Sequence, residues 1–186
     1  MCVSGKGSNL RNLLDLGLDV VAVATNRPSC AGAALARERG IALGELSQKQ
    51  FGSAVERDAA MRDFFIQNRV ELIVDAGYDR VHTAPLLDAF AGRIINVHPS
   101  LLPAFAGGMD AIERALAAGV KETGATVHVV TGDLDAGPIL AQERVAILPG
   151  DTPDTLLQRV HAAEYRLLPK AIAIMEGKLA HSPAVG

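Results

Sequence analysis

Two side chains that could perform chemistry, Asn96 and His98, lie two residues apart in the stretch Ile94–His98. Successive side chains of a β-strand point to opposite faces, so these two would point the same way. An amide can donate a hydrogen bond to a developing oxyanion, and an imidazole can move a proton. Pro99 would end the strand, because proline has no N–H for the ladder. The pattern fits a catalytic pair at the carboxyl end of a buried strand, where open α/β sheets bind ligands. It fits equally a polar strand end that caps a loop.

A carboxylate that could act with His98 occurs in the segment 133–138, which reads Asp-Leu-Asp-Ala-Gly-Pro. Asp133 and Asp135 both qualify, and Asp135 is the better candidate because it stands next to the Gly-Pro corner. A carboxylate beside an imidazole stabilises the protonated ring. The alternative is that the aspartate serves only the turn, which is the commoner reason for an aspartate at such a place.

A turn that could bind a phosphate, residues 4–9 (Ser-Gly-Lys-Gly-Ser-Asn), separates a short first strand from a helix. Backbone amides at a helix start form an anion site, to which Gly7, Ser8 and Asn9 would contribute. The turn is not a dinucleotide fingerprint, because Leu10 stands at the third glycine position. It is not a Walker A loop either, because no Gly-Lys-Ser/Thr is present. The turn therefore predicts a phosphate monoester as ligand; the alternative is an ordinary glycine turn with a polar N-cap.

A further polar pair, His161 and Glu164, is spaced three residues apart in the last predicted helix and therefore shares one face. The two side chains could hydrogen-bond a polyol such as ribose. From these residues alone, a solvated pair on the helix surface is the favoured interpretation.

The elements that must position these residues alternate between buried apolar strands and helices. That alternation predicts an α/β fold with a Rossmann-like, doubly wound and mostly parallel sheet. The last two strands follow each other with only a loop between them, so an antiparallel strand is expected near the C-terminal part. The tail, 176–186, is expected to fray. The predicted strands are 1–3, 19–25, 41–46, 72–77, 94–98, 125–130 and 138–148. The first predicted helix begins at residue 9, and the other predicted helices are 31–39, 53–68, 83–90, 110–118 and 153–175.

Composition and charge restrict the classes of partner. The 186 residues are 49% hydrophobic with no tryptophan, which suits one domain with a core of small aliphatic side chains. The formal net charge is −3 and no basic block occurs, which argues against nucleic acid or a membrane surface as partner. Cys2 and Cys30 have neither disulfide nor metal-site spacing. Neither a signal peptide nor a bilayer-spanning apolar run is apparent, so a cytoplasmic location is expected.

Four segments together resemble the glycinamide ribonucleotide formyltransferases of purine biosynthesis, within the folate-dependent formyltransferase family. The segments keep the family's order and a similar spacing, and the resemblance covers essentially the whole chain. It implies a single formyltransferase domain spanning 1–186, a monomer or homodimer that acts on small molecules. The matching segments are 4–9 (SGKGSN), 96–103 (NVHPSLLP), 123–128 (TGATVH) and 135–139 (DAGPI).

The reaction implied by the resemblance transfers a formyl group from 10-formyltetrahydrofolate, as co-substrate, to the amine of glycinamide ribonucleotide, without a metal. Asn96 and His98 would stabilise a tetrahedral oxyanion, and His98 would also donate a proton. Asp135 would assist the proton relay. By the same resemblance, the ribonucleotide-binding residues would be Gly7, Ser8, Asn9 and Glu164, and the folate-binding residues would be Asp79, Arg80, Val81, His82, Asn96 and His128.

The sequence departs from the family pattern at several positions that concern the substrates. Many members carry a substrate-reaching arginine where this chain has Ala54, and Arg57, three residues on, is the candidate substitute. His82 stands where an aliphatic residue is common. The segment 106–109 replaces a shorter Pro-Gly segment, so folate affinity is the property that this change would affect. The first strand is also shorter than is usual in the family.

Other functions use the same kinds of residue. A formyltetrahydrofolate deformylase would use Asn96, His98 and Asp135 with water as the nucleophile, but its family carries an additional N-terminal regulatory domain that is not expected here. Formyltransferases that act on methionyl-tRNA or on sugar nucleotides carry an extra C-terminal domain, which is not expected either. From a different class, the chain could be a non-catalytic phosphate-binding module, but the complete set of Asn96, His98 and Asp135 argues against it.

Overall fold

The computed structural model describes residues 1–181. Two compact units are distinguished within it, Met1–Asn96 with Val129–Gly137, and Val97–His128 with the chain from Pro138 onward. The order of elements alternates between strand and helix as an α/β fold requires. The strands are β1 (Cys2–Val3), β2 (Ala22–Thr25), β3 (Ala42–Glu45), β4 (Ile73–Asp75), β5 (Ile94–His98), β6 (Glu122–Val129) and β7 (Ile139–Ala146), and the helices are α1 (Ser8–Asp15), α2 (Ala31–Glu38), α3 (Ala54–Gln67), α4 (Ala84–Ala89), α5 (Ala111–Ala117) and α6 (Pro153–Ala180).

The first unit contains parallel strands in the order β3-β2-β1-β4-β5. The chain moves outward from β1 to β3 and then returns to β4 on the other side of β1, which is the doubly wound topology that was predicted. Ligands of such sheets bind beyond the carboxyl ends of the strands, at the point where the strand order reverses. That point lies between β1 and β4, so binding residues in this unit are expected in the loops that follow these two strands.

The core of the first unit is small and aliphatic in the strands and aromatic in the helices. Ala24 and Ile73 of the sheet are fully buried, and they belong to one cluster with Phe65 of α3 and Phe90, which follows α4. The rings of Phe65 and Phe90 meet edge to face with centroids 6.2 Å apart, a favoured geometry for aromatic pairs. Short side chains in the strands let α3 and α4 lie close to the sheet.

The second unit contains β6 and β7, which pair antiparallel and confirm the predicted antiparallel strand. The two strands approach closely at Gly124, where a Cβ atom would lie 2.1 Å from the carbonyl oxygen of Glu143. Glycine is therefore required at that position. The pairing register shifts between Val127 and His128, which marks a β-bulge near the end of β6. Helix α6 packs against β7 and α5.

Helix α6 is longer than predicted. It begins after Thr152, whose side chain accepts a hydrogen bond from the Thr155 N–H, and it continues to Ala180 rather than ending at 175. The expected fraying is therefore wrong for residues 176–180, because each residue added to an existing helix gains a backbone hydrogen bond. Residues 182–186 lie outside the described part of the chain. Within residues 1–181, every helix is too short or too polar to cross a membrane.

Candidate active site

The turn between β1 and α1, predicted to bind a phosphate, places Gly7 at the N-cap of α1 with a φ of 70°. A Cβ atom at Gly7 would lie 2.5 Å from the Cα atom of Gly32, near the start of α2, so glycine is required by both the backbone and the close approach. Helix α1 begins at Ser8, one residue earlier than predicted, so Ser8 and Asn9 lie in its first turn. The amide groups of a first turn point out of the helix end, which is the arrangement that binds anions.

A ring of hydrogen bonds joins the loops that follow β1, β2 and β4. Ser4 Oγ donates to Asn26 Oδ1 at 2.6 Å, and Asn26 Nδ2 donates to Asp79 Oδ1 at 2.7 Å. The Asp79 N–H donates back to Ser4 Oγ at 3.1 Å, and Arg27 forms an ion pair with the Asp79 carboxylate. The side chain of Asp79 is thus engaged within the protein. Asn26 was not among the predicted site residues, although its position just after β2 was an available signal, and Ser4 was named only as part of the turn 4–9.

His82 is buried, whereas the preceding residues Arg80 and Val81 are exposed. The Nε2 atom of His82 lies 2.8 Å from Asp75 Oδ2, and its ring stacks on that of Tyr78 with centroids 5.2 Å apart. Burial works against a charged imidazole, but the Asp75 carboxylate outweighs it and raises the pKa of His82 above its ordinary value. The His82 side chain therefore belongs to the interior of the first unit, so a folate contact at this residue would use its backbone.

Cys2, Asp75 and His82 form a group of potential metal ligands, whose ligand atoms lie within 4.8 Å of one another in the described part of the chain. The Asp75 carboxylate and the His82 imidazole, however, are hydrogen-bonded to each other. Burial raises the pKa of the Cys2 thiol well above its ordinary value. We assign this group a structural role at the carboxyl ends of β1 and β4.

Arg57, the candidate substitute for the family arginine, is turned into the protein with 2% of its side chain exposed. Its Nε and NH2 groups reach Asp58 Oδ1 at 2.8 and 2.7 Å. NH1 donates to Gln48 Oε1 at 3.2 Å, and NH2 also donates to the Val81 carbonyl at 3.1 Å. All three guanidinium nitrogens therefore bind within the protein. These contacts argue against a direct substrate contact by Arg57, which the sequence offers only as a candidate substitute.

His98 ends β5 as a buried residue, and Asn96, two residues earlier on the same strand, is half-buried. The Nε2 atom of His98 lies 3.1 Å from the carbonyl oxygen of Phe105. A carbonyl oxygen can only accept a hydrogen bond, so the Nε2 atom carries a proton. The hydrogen bond fixes the orientation of the ring, which general acid catalysis requires.

Arg114 of α5 holds the backbone of the loop after β5. The guanidinium donates to the carbonyl of Phe105 at 2.7 Å, to that of Ala106 at 3.2 Å, and to that of Gly107. The Phe105 carbonyl is the one that also accepts from His98. The path of this loop and the orientation of His98 are therefore linked. Arg114 was not among the predicted residues, because an arginine in a helix carries no local mark of such a role.

The part of the loop directly after His98 is hydrogen-bonded to side chains of β6 and β7. Thr126 Oγ1 donates to the Ser100 carbonyl at 2.7 Å and accepts from the Leu102 N–H at 3.1 Å. Gln142 Nε2 donates to Thr126 Oγ1 and to the Leu102 carbonyl, both at 2.9 Å. Every hydrogen-bonding position of the buried Thr126 hydroxyl is thus used, so the chain has a defined exit from β5.

Two further predicted residues, His128 and Glu164, are buried in the second unit. His128 lies at the bulge of β6 with 2% exposed, and Glu164 lies on α6 with 5% exposed. A glutamate is almost never buried unless it has a partner. The interpretation of Glu164 as part of a solvated helical pair is therefore wrong, and a binding or structural role remains.

Asp135 lies in the segment between β6 and β7 with a φ of 52° and is half-buried, whereas Asp133 is exposed. A Cβ atom at Gly137 would lie 1.8 Å from the carbonyl oxygen of Val129, which explains the glycine of the Asp-Ala-Gly-Pro segment. The difference in burial agrees with the choice of Asp135 over Asp133.

The structure distributes the predicted residues between the two units. The turn at Gly7 and the loop that carries Asp79 are brought together in the first unit through Ser4 and Asn26. His82 is placed in the interior of that unit, away from its surface. The first unit holds Gly7, Ser8, Asn9, Asp79, Arg80, Val81, His82, Asn96 and Asp135, and the second holds His98, His128 and Glu164.

Comparisons with known proteins identify the family. The formyl transferase pattern matches residues 1–172. The structure of glycinamide ribonucleotide transformylase 1 from Symbiobacterium toebii superimposes with a TM-score of 0.88 at 40% identity, covering 92% of this chain and 83% of that one. The chain therefore belongs to the formyl transferase family of enzymes. The phosphoribosylglycinamide formyltransferase of Mycobacterium tuberculosis is 41% identical over 177 residues, which are 92% of this chain and 81% of the relative.

The similarity also extends to larger proteins. The trifunctional purine biosynthetic protein adenosine-3 of Drosophila melanogaster is 41% identical over 192 residues, which cover 98% of this chain but 14% of that protein. This chain thus spans less than a fifth of the length of the trifunctional relatives. The similarity concerns one part of those proteins.

Proposed function

We propose that the chain transfers a formyl group from 10-formyltetrahydrofolate to the amine of glycinamide ribonucleotide, a step of purine biosynthesis. The observation that carries the proposal is a buried, oriented His98 on the same strand as Asn96, in a chain of the formyl transferase family. Relatives that match over most of their length bear the name phosphoribosylglycinamide formyltransferase, which supports the choice of acceptor.

The proposed chemistry needs only proton movement and stabilisation of charge. The amine of the ribonucleotide attacks the formyl carbon, and the bond from that carbon to the folate nitrogen breaks. Asn96 donates a hydrogen bond to the oxyanion of the tetrahedral intermediate, and the protonated His98 stabilises the same charge. Asp135 assists the relay that removes a proton from the amine and delivers one to the folate nitrogen. No metal takes part in these steps.

The ribonucleotide would be held at its phosphate and at its ribose. Gly7, Ser8 and Asn9 are proposed to bind the phosphate, which the left-handed N-cap at Gly7 and the first turn of α1 support. Glu164 is proposed to bind the ribose hydroxyls, because a carboxylate is a strong acceptor for them.

The folate would be held by the loop between β4 and α4, residues 76–83, together with Asn96 and His128. Arg80 and Val81 are exposed on this loop, and Val81 presents an apolar side chain of which 58% is accessible. An exposed aliphatic side chain beside backbone polar groups suits a planar heteroaromatic ring. Asp79 would contribute through its carbonyl, because its side chain and its N–H are engaged within the first unit, and His82 would contribute through its backbone, because its side chain is engaged there.

The remaining parts of the proposal concern the whole protein. We propose a single functional domain that works as a monomer or a homodimer on small-molecule substrates in the cytoplasm. Size-exclusion chromatography with light scattering would measure the mass of the particle directly.

The test is turnover by the purified protein with each substrate alone and with both. Tetrahydrofolate should form only when glycinamide ribonucleotide is present, and formylated ribonucleotide should form in equal amount. Tetrahydrofolate formed without the ribonucleotide would instead indicate the deformylase. Binding of the ribonucleotide without turnover would indicate the non-catalytic phosphate-binding module.

A further inference from the structure

A fully buried ion pair lies at the second turn of α3. Arg57 and Asp58 are 2% and 0% exposed, and two guanidinium nitrogens of Arg57 lie within 2.8 Å of Asp58 Oδ1. Removing two charges from water is unfavourable, and apolar residues of similar size often stabilise a protein at least as well. The burial of this pair therefore suggests a purpose other than stability.

The hydrogen bonds of the pair end on the backbone of the loop between β4 and α4. Asp58 Oδ2 accepts from the Thr83 N–H at 2.6 Å and from Thr83 Oγ1 at 2.9 Å. Arg57 NH2 donates to the Val81 carbonyl at 3.1 Å. The two side chains thus hold the loop on both sides of His82. Charge-assisted hydrogen bonds of this kind are stronger than those between neutral groups.

We propose that Arg57 and Asp58 are positioning residues for folate binding, which act through the backbone of residues 81–83. The proposal rests on the function proposed above, in which this loop contacts the folate. The pair approaches the loop from the interior, while Arg80 and Val81 are exposed on its outer side. A backbone held in its bound conformation before the ligand arrives loses less entropy on binding and keeps the reacting groups aligned. Arg57 thus holds the loop from its interior side and does not contact substrate.

The same helix offers a matched control in Arg62 and Asp63. This pair also consists of adjacent residues, with Nε of Arg62 2.8 Å from Asp63 Oδ1 and NH2 2.7 Å from it. Its side chains are 36% and 56% exposed. An exposed pair of this kind contributes little to stability and is not expected to affect the loop.

The first measurement is steady-state kinetics of Arg57→Met, Arg57→Lys and Arg62→Met, with each substrate varied in turn. Arg57→Met should raise KM for 10-formyltetrahydrofolate by about 10- to 100-fold, because a small misplacement of a positioning segment has effects of this size. KM for the ribonucleotide should change less than KM for the folate, because the hydrogen bonds of the pair end on Gln48, Val81 and Thr83 and not on the turn at residues 4–9. Arg57→Lys should recover part of the loss, since it keeps a donor and the charge beside Asp58. Arg62→Met should behave as the unchanged protein.

The second measurement, hydrogen–deuterium exchange, does not depend on activity. The amide of Thr83 is bonded to Asp58, so Arg57→Met should accelerate exchange in peptides that cover 81–83 and leave β2 unchanged. Unaltered folate KM and unaltered exchange in a folded variant would overturn the proposal. An equal rise of both KM values would also overturn it, because that result indicates a general structural role.

If Arg57→Met does not fold, Arg57→Lys and Gln48→Ala decide the matter, since Gln48 binds only one guanidinium nitrogen, NH1. Each of these two variants should raise KM for the folate by a smaller factor than the one expected for Arg57→Met. An unchanged folate KM in both variants would overturn the proposal. Absence of turnover in the unchanged protein would contradict the proposed function, whereas the exchange experiment would still show whether the pair holds the loop.

Discussion

Asp135 illustrates what a single residue contributes in this protein. It is half-buried in a left-handed backbone conformation, two residues before a glycine that no larger residue could replace. Asp133, in the same segment, carries the same carboxyl group but is exposed to solvent. The difference makes the two aspartates a natural pair for comparison.

Asp135→Asn should reduce kcat by about 10²- to 10⁴-fold, the usual contribution of a group that takes part in proton transfer. The ribonucleotide should still bind, because the phosphate-binding residues are unchanged. Turnover and calorimetric binding measure the two effects separately. Asp133→Asn is the control and should retain normal turnover. Normal turnover by Asp135→Asn would show that the proposed relay is wrong.

His82 should make the stability of the protein depend on pH. The Asp75 carboxylate, with a smaller contribution from Asp58, raises the pKa of His82 against the effects of burial and of Arg57. Because the folded-state pKa is above the unfolded value, the stabilisation is complete below about pH 6.5 and is lost as the pH rises through the folded-state value.

Denaturant unfolding of the unchanged protein and of His82→Leu, from about pH 5 to pH 9, would measure this effect. The advantage of the unchanged protein in free energy of unfolding should shrink as the pH rises. A difference that is independent of pH would contradict the expectation, because it would mean that His82 contributes only through packing.

At the scale of elements, the start of α1 depends on the close approach of Gly7 and Gly32. A Cβ atom on Gly7 would lie 2.5 Å from the Cα atom of Gly32, and one on Gly32 would make a tighter-than-usual contact of 3.3 Å with the Cα atom of Gly7. The first-turn amides that are proposed to bind the phosphate are therefore placed by a contact between helices. The glycine pattern of the turn alone does not place them.

Gly7→Ala should destabilise the protein and weaken ribonucleotide binding, and Gly17→Ala is the matched control. Gly17 also has a positive φ, 79°, but a Cβ atom there would meet no described atom within 4 Å. Gly17→Ala should lower the free energy of unfolding by about 1–2 kcal/mol through backbone strain alone. Gly7→Ala should lower it by about 1–3 kcal/mol more, because of overpacking. Equal losses of stability and unchanged ribonucleotide affinity in both variants would contradict this account.

At the scale of the whole molecule, the strand order β3-β2-β1-β4-β5 determines which loops can share a ligand in the first unit. The loops after β1 and β4 lie at the reversal point, and the hydrogen-bonded ring of Ser4, Asn26 and Asp79 ties them together. A phosphate monoester matches the short turn after β1, whereas a dinucleotide would require a third glycine where Leu10 stands.

Ligand-dependent thermal unfolding tests this distinction on the intact protein. Glycinamide ribonucleotide at about 100 times its dissociation constant should stabilise the fold by about 2.7 kcal/mol. For a chain of this size, that corresponds to a rise in Tm of about 5–10 °C. NAD at the same concentration should leave Tm unchanged. A comparable rise with NAD would contradict the assignment of the turn to a phosphate monoester.

The sequence by itself determined the class of fold, the order of the elements and the antiparallel strand. These features follow from local patterns: alternation in strands, glycines with special backbone angles, and a short loop between the last two strands. Motifs such as residues 96–103 also belong to single stretches of chain, which is why the family could be recognised from them.

Only the tertiary structure decided where the side chains of Arg57, Asp79, His82 and Glu164 lie. The sequence leaves open whether Arg57 reaches a substrate, and the helix pattern around Glu164, taken alone, favours a solvated pair, but both residues are buried. Two of these side chains have partners that are distant in sequence: Arg57 donates to the Val81 carbonyl, 24 residues away, and the Asp79 carboxylate accepts from Asn26, 53 residues away. A side chain's local pattern does not specify contacts over such separations. They arise when the sheet brings the carboxyl ends of its strands to one edge.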